Sequence, residues 1–327
     1  TNSIEKVDMK ILANDGISDL GKSLLEAAGH EVSTAKVAQE VLANTINQEG
    51  FDAVLVRSAT TVRKVVIDAC PGLKLIGRGG VGMDNIDVSY ARDKGLTVIN
   101  TPASSSQSVA ELVMGQMLSI SRFLNDSFKN IETGDFSTLK KNFAKGVELR
   151  GKTLGIIGFG RIGQSLAAYA LGVGMKVVAI ERKARIQPIT LKIAGQSIEV
   201  PVKVVANLAD VIGQLDYISI HVPKQPDGAA VIGAAEFKLM KKGVRLVNTA
   251  RGGVIEETAL LEALDNGTVA AAALDVYENE PTPLKALLAH PRIACTPHIG
   301  AATLEAQDRI GEELADLIIA FAKEQKA

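Results

Sequence analysis

Two doubly wound α/β lobes, each built on a parallel sheet, are predicted for this 327-residue chain. Three observations predict them: the length, two successive series of alternating strand and helix patterns, and glycine turns placed at strand ends. Domains usually hold about 100–200 residues, so the chain suits two cores better than one. Short β-rich runs separated by helical stretches imply crossover connections and therefore parallel strands. In the first series the strands read KILAN, EVSTA, AVLVRS, LKLIGR and TVINT, with DLGKSLLEAAG and VRKVVIDAC among the intervening helices. A long helix is expected from about Ser106 to Phe128, followed by the polar segment NIETGDFSTLKKNFAKGVELRG. The second series reads TLGII, KVVAI, YISIH, VRLVN, VAAAALDV and RIACT. Six strands with intervening helices fit a doubly wound nucleotide-binding domain. The stretch ITLKIAGQSIEVPVKV, near residues 189–204, reads as a β-hairpin inserted after the second strand as a surface addition.

Composition excludes several classes of partner. Lys and Arg number 36 against 37 Asp and Glu, a formal charge of −1, so there is no basic excess to neutralise a nucleic-acid backbone. The opening TNSIEKVDMKILAND has charges among its first apolar residues and no signal-peptide core, and no stretch has membrane-spanning length. Cys70 and Cys295 are too few for a disulfide framework and lack metal-ligand spacing. The expectation is a cytoplasmic protein with two buried free thiols, no membrane contact and no metal. His30 is expected at the surface, and His290 at a helix end before Pro291.

The spacing GxGxxG occurs twice, as GRGGVG at 77–82 and GFGRIG at 158–163. Gly158, Gly160 and Gly163 follow a strand, and Arg161 and Ile162 open a helix whose free N–H groups suit a pyrophosphate. Glu181 ends the next strand, 23 residues beyond Gly158, where an acid can accept hydrogen bonds from an adenosine ribose. The first turn instead runs into Asp84 and Asp87, which would repel a pyrophosphate, and has Asn100 at the corresponding later position. The nucleotide is therefore assigned to 158–163, and the turn at 77–82 to a small anion such as a substrate carboxylate. Glu181 favours NAD by repelling a 2′-phosphate, whereas Arg182, Lys183 and Arg185 pull towards NADP.

Ligands of open parallel sheets lie beyond the C-terminal strand ends. His221, Arg251, Asp275, Glu280 and His298 all fall in such loops. Reduction of a ketone by hydride needs a proton donor for the developing alkoxide and a fixed positive charge to orient an oxo acid. A histidine and an arginine supply these, with a carboxylate keeping the histidine protonated. Spacing alone leaves His221 and His298 as equal candidates.

The segments VRSAT (56–60), GRGGVGMDNID (77–87), INTP (99–102), SVAE (108–111), GKTLGIIGFGRIG (151–163), HVP (221–223), NTARGG (248–253), ALDVYENEP (273–281) and TPHIGAAT (296–303) occur in one order along nearly the whole chain. Together they resemble the D-isomer-specific 2-hydroxyacid dehydrogenases, and among them a short phosphoglycerate dehydrogenase form. The resemblance implies a Rossmann cofactor domain at 103–298 inserted in a flavodoxin-like substrate domain formed by 1–102 and 299–327. By the same resemblance His298 is the general acid/base, Glu280 its partner and Arg251 the residue that binds the substrate carboxylate. Val222, Pro223, Thr249, Ala250, Asp275 and Gly300 join His221 on the cofactor side. The N–H groups around Gly80, Val81 and Gly82 take the carboxylate. Arg57, Arg78 and Lys141 are the cations available to a phosphorylated hydroxy or oxo acid.

The reaction implied is NAD-dependent interconversion of 3-phosphoglycerate and 3-phosphohydroxypyruvate, the entry to serine synthesis, in a cleft that closes over its ligands. The assembly implied is a homodimer. Hydroxypyruvate or glyoxylate reduction is the alternative chemistry, and an NAD-sensing corepressor-like binding protein the alternative of another class. Ser105 stands where relatives commonly have asparagine. The chain ends in FAKEQKA without a C-terminal regulatory domain, so the resemblance implies no serine feedback through one.

Overall fold

A computed structural model describes residues 9–325. The first eight residues of the opening stretch, and the ends of the expected domain limits at residues 1 and 327, lie outside the described residues. The chain divides into two compact units, one from the segment up to Ser105 together with that from Ala301 onward, the other Ser106–Gly300.

The first unit alternates β1 (Lys10–Ala13), α1 (Asp19–Ala27), β2 (Glu31–Ser33), α2 (Leu42–Glu49), β3 (Ala53–Val56), α3 (Lys64–Ala69), β4 (Leu75–Arg78), α4 (Val88–Asp93) and β5 (Thr97–Asn100). All four strand pairings are parallel, in the order β2-β1-β3-β4-β5. That is the flavodoxin-like doubly wound order, whose ligand loops gather where the winding reverses, beyond the C-terminal ends of β1 and β3. The final helix α12 (Leu304–Glu324) returns to this unit. Its N-cap is Thr303, whose hydroxyl accepts the Ala306 N–H at 3.1 Å. Ile310, Leu314 and Ile318 recur every four residues and bury one stripe of the helix beside Ile11, Leu55 and Leu75.

The second unit opens with α5 (Ser106–Arg122), α6 (Leu124–Asn130) and α7 (Phe136–Phe143). The single helix expected over 106–128 is therefore two. Phe123 takes the left-handed conformation, φ 55°, which stops α5 and redirects the chain. The polar segment after it carries α7, capped by Asp135 accepting the Thr138 N–H at 2.8 Å.

The sheet then follows as β6 (Thr153–Ile157), α8 (Arg161–Gly172), β7 (Lys176–Ile180), β8 (Arg185–Ile193), β9 (Gln196–Val205), β10 (Tyr217–Ile220), α9 (Ala234–Leu239), β11 (Val244–Asn248), α10 (Glu257–Asp265), β12 (Val269–Leu274), α11 (Lys285–Ala289) and β13 (Ile293–Cys295). Its order is β13-β12-β11-β10-β6-β7-β9-β8.

All six expected strands are present, but the hairpin is more than a surface addition. β9 pairs in parallel with β7 and buries Val202, Val204 and Val205, so it is a core strand of the Rossmann sheet. Only β8 is supernumerary, an antiparallel edge. Pro188 and Pro201 stand opposite each other in that pair. Neither has an N–H, so they occupy a non-hydrogen-bonded position and Pro188 removes a donor from the outer edge, blunting it against strand addition.

Two smaller expectations are corrected. His30 is buried, at 5% exposure, in the turn between α1 and β2. Cys70 is buried but Cys295, on the edge strand β13, is only half-buried. His290 does end α11, its Nδ1 accepting the Arg292 N–H at 3.1 Å. Among the described residues no helix is long and apolar enough to cross a membrane, and no cluster of three or more potential metal ligands occurs.

Candidate active site

The loops at the C-terminal strand ends of the second unit carry most of the expected site. The glycine turn leaves β6 with Gly158 at φ 91°. A Cβ there would stand 2.5 Å from the His221 carbonyl oxygen, so only glycine lets the β6 and β10 loops lie together. His221 N–H closes the contact on the Ile157 carbonyl at 2.7 Å. Gly160 is the N-cap of α8, without a capping side chain and with open space where a Cβ would point. The first N–H groups of α8, at Arg161, Ile162 and Gly163, thus face ground an anion can occupy.

Glu181 follows β7 directly. Its Oε1 accepts the Phe159 N–H at 3.2 Å and its Oε2 pairs with Arg185 Nη1 at 2.8 Å. Thr249 Oγ1 is buried and has no hydrogen-bond partner among the described residues, beside Ala250 in the β11 loop. A cradle that only glycine fits, an uncapped helix start, an acid at the ribose position and an orphan buried hydroxyl together fit a dinucleotide. Val222 and Pro223 lie in the β10 loop of the same end.

The acid/base candidates meet in this unit too. His298 Nδ1 and Glu280 Oε2 are 2.8 Å apart, each side chain about one-third exposed, at 35% and 33%. Glu280 Oε1 accepts the Tyr277 N–H at 3.0 Å. Burial works to raise the Glu280 pKa, but the bonds from His298 and Tyr277, with the charges of His298 and Arg251, outweigh it and hold the carboxyl below its ordinary value. An ionised Glu280 accepts only, so Nδ1 of His298 carries a proton and Nε2 is left to face a ligand.

His298 itself sits in the left-handed region, φ 55°, a costly conformation for a histidine. The buried Asp275 carboxylate holds it there: Oδ1 accepts the Thr296 hydroxyl at 2.6 Å and the Ile299 N–H at 2.8 Å, and Oδ2 the Gly300 N–H at 2.9 Å. Arg251 is set by the Asn248 side chain, which donates to the Arg251 carbonyl at 2.9 Å and accepts the Ala250 N–H at 3.0 Å. The adjoining Gly252 lies so close to the Tyr277 carbonyl that any Cβ would overlap it, which packs the arginine loop against the turn that leads from β12 to Glu280.

His221 differs sharply from His298. Its Nε2 is bonded to the buried Ser219 hydroxyl at 2.8 Å, and burial pushes its pKa down to about 4. A histidine neutral in the folded state but with an unfolded pKa of about 6.5 binds fewer protons when folded. Its contribution is therefore complete above pH 6.5 and is lost as pH falls from there towards 4. Urea denaturation at pH 7.5 and 5.0 should show a smaller acid loss of stability in His221→Asn than in the parent chain; equal losses would show that His221 titrates normally.

In the first unit two side chains pin the glycine turn at 77–82. Asn100 Nδ2 donates to the Val81 carbonyl at 2.7 Å. The Gly80 N–H is taken by Thr101 Oγ1 at 2.8 Å, which removes Gly80 from the donors expected for a carboxylate. The N–H groups of Val81 and Gly82 have no acceptor among the described residues. Arg78 folds back with Nη1 on the Gly79 carbonyl.

Arg57 is half-buried in the β3 loop. Its N–H reaches Asp15 Oδ2 at 2.7 Å, its carbonyl receives Asn85 Nδ2 at 2.5 Å, and its guanidinium donates to Gln307 Oε1. Lys141, by contrast, is exposed on α7 in the other unit, and no bond joins it to another candidate residue among those described.

Asp15, Asn248, Tyr277 and Gln307 escaped the reading of the sequence. Asp15 had a signal, an Asn-Asp pair directly at a strand's end. It is 4% exposed, and although burial opposes its charge, donors from Lys36, Thr60 and Arg57 hold its pKa below the ordinary value. Gln307 offered no signal, because a glutamine in a helix's first turn is usually solvated.

Residues 114–300 match the family described as D-isomer specific 2-hydroxyacid dehydrogenase, NAD binding domain. The chain is similar to D-3-phosphoglycerate dehydrogenase of Methanocaldococcus jannaschii, 41% identical over 311 residues covering 95% of this chain and 57% of that protein. It therefore spans little more than half the length of that relative. It is equally similar to hydroxypyruvate reductase of Thermotoga maritima, 42% identical over 291 residues, covering 88% of this chain and 90% of that one. Among solved structures, the NADPH-dependent glyoxylate/hydroxypyruvate reductase of Sinorhizobium meliloti, in complex with NADP and malonate, superposes with a TM-score of 0.79 at 25% identity, covering 96% of this chain and 93% of that one.

Proposed function

Because the chain belongs to the D-isomer-specific 2-hydroxyacid dehydrogenase family, we propose that it interconverts 3-phosphoglycerate and 3-phosphohydroxypyruvate with NAD, His298 acting as general acid/base. The observation that carries this reading is the 2.8 Å pairing of His298 with Glu280, with the Arg251 charge acting on the same carboxylate. Gly158, Gly160, Gly163 and Glu181 would hold the dinucleotide, which when bound would supply or accept the hydride. In reduction, His298 Nε2 gives its proton to the carbonyl oxygen; in oxidation it takes the proton from the hydroxyl. Glu280 keeps Nδ1 protonated throughout and stabilises the imidazolium. Arg251 binds the substrate carboxylate through its planar fork and polarises the reacting carbonyl. In the turn at 77–82 the Val81 and Gly82 N–H groups remain the donors available to a carboxylate, and Arg57 serves the phosphate.

NAD is favoured over NADP because Glu181 repels a 2′-phosphate, and its bond to the Phe159 N–H keeps the carboxylate on the glycine turn. The relative that binds NADP and the pairing of Glu181 with Arg185 support testing both dinucleotides. For a homodimer, α5 to α7 offer an exposed apolar face of Leu118, Leu124, Phe128, Ile131 and Phe136 that a second copy would cover.

The test is oxidation of NADH with 3-phosphohydroxypyruvate beside hydroxypyruvate, glyoxylate, 2-oxoglutarate and pyruvate. Preference for the phosphorylated acid is expected. Preference for hydroxypyruvate or glyoxylate would replace the substrate and keep the mechanism, in line with the similarity to hydroxypyruvate reductase. Binding of NADH without turnover of any acid would instead support a dinucleotide-sensing protein.

A further inference from the structure

We propose that Gln307 is the positioning residue that aims Arg57 at an anionic group on the substrate, and that it thereby sets the discrimination between phosphorylated and unphosphorylated 2-oxo acids. The inference rests on the reading that Arg57 binds the substrate's phosphate, and goes beyond it by naming what makes that arginine selective.

The orientation of the Gln307 amide follows from its two partners. The Ala301 carbonyl can only accept, and it receives Gln307 Nε2 at 2.6 Å. The Arg57 guanidinium can only donate, and it gives its bond to Gln307 Oε1. A flipped amide would lose both bonds. Gln307 is itself held at the start of α12, its N–H bonded to the Thr303 carbonyl at 2.9 Å, the carbonyl of the residue whose side chain caps the helix. Both ends of the glutamine are therefore fixed before it reaches the arginine.

Arg57 has little other freedom. Asp15 and Asn85 hold its backbone on both sides, as the N–H bond at 2.7 Å and the carbonyl bond at 2.5 Å show. What remains is the set of side-chain torsions, and the Gln307 amide selects among them. It does so with a neutral acceptor. Among the described residues no carboxylate forms a salt bridge with Arg57: the Asp15 charge acts on the guanidinium without a direct bond to it, its oxygens being engaged by Lys36 at 2.5 Å, by Thr60 and by the Arg57 N–H. A glutamate at 307 would orient the guanidinium equally well but would consume its charge in an ion pair. Orientation by an amide leaves a half-buried cation fixed in direction with no carboxylate bonded to its guanidinium, which lowers the ordering cost when a phosphate arrives.

The experiment compares Gln307→Glu, Gln307→Ala and Arg57→Ala with the parent enzyme. Values of kcat and KM are measured for 3-phosphohydroxypyruvate and hydroxypyruvate, with NADH affinity from fluorescence titration and Tm as controls. Gln307→Glu should raise KM for the phosphorylated acid at least about tenfold with kcat nearly unchanged, and leave hydroxypyruvate kinetics and NADH affinity as they were. Gln307→Ala should fall between. If Arg57→Ala leaves discrimination intact, the phosphate reading fails and takes this inference with it. If Arg57→Ala abolishes discrimination while both Gln307 variants keep it within about twofold, or weaken both acids equally, the arginine reading stands and the role of Gln307 is overturned. Should Gln307→Glu fold poorly, Gln307→Ala decides. If neither acid turns over, the same comparison is read from calorimetric binding of 3-phosphoglycerate to each variant, with the same outcomes.

Discussion

Replacing His298 with alanine is expected to lower kcat by roughly 10²–10⁴-fold, the range for loss of a positioned general acid/base, while NADH affinity is retained. The expectation follows from the contrast between two histidines at strand ends. His298 shares a 2.8 Å bond with a carboxylate and leaves its second nitrogen open. His221 has its Nε2 on the Ser219 hydroxyl, and burial drives its pKa down to about 4, so at neutral pH it is the uncharged imidazole and not an acid. Glu280→Gln should reproduce part of the loss, because an amide can no longer stabilise the imidazolium. Single-turnover measurements with saturating NADH read the chemical step directly. An unchanged rate in His298→Ala would transfer the proton-transfer role to His221 and remove the main support for the mechanism.

Asp275→Ala is expected to destabilise the chain by on the order of 3 kcal/mol or more, since it strands several buried donors at about 1–3 kcal/mol each. The Asp275 carboxylate is 1% exposed and receives the Thr296 hydroxyl and the N–H groups of Ile299 and Gly300. Those donors flank His298, whose left-handed backbone needs external support. The loss should therefore appear twice, as a lower urea midpoint and as a fall in kcat greater than the remaining folded fraction accounts for. Asp275→Asn keeps two acceptor lone pairs on one oxygen and should lie between. A variant with parental stability and a selective loss of NADH affinity would show that Asp275 serves the cofactor alone, the role its resemblance to relatives implies.

Much of this architecture was legible in advance because strand and helix periods are local. Eleven of the expected strands appear where the apolar runs stand, and the nucleotide turn was chosen over its twin by nearby residues alone: an acid at Glu181 and a helix at Arg161. The failures have causes that no local period carries. Phe123 breaks a helix through a backbone conformation that its apolar neighbourhood does not announce. β9 looked like half of an insertion because pairing with β7 depends on which edge of the sheet is open, a property of the whole sheet.

The two-lobed α/β class, the strand series and the set of residue types capable of hydride-transfer chemistry are legible from the residues alone, because hydrophobic period and turn composition are written within a few residues of where they act. What distinguishes the surroundings of His298 from those of His221, ties up the Gly80 N–H and brings Gln307 to Arg57 across 250 positions appears only once the chain is folded. Hydrogen bonds and desolvation depend on distances of a few ångströms between residues far apart in the chain, and no local pattern encodes those distances.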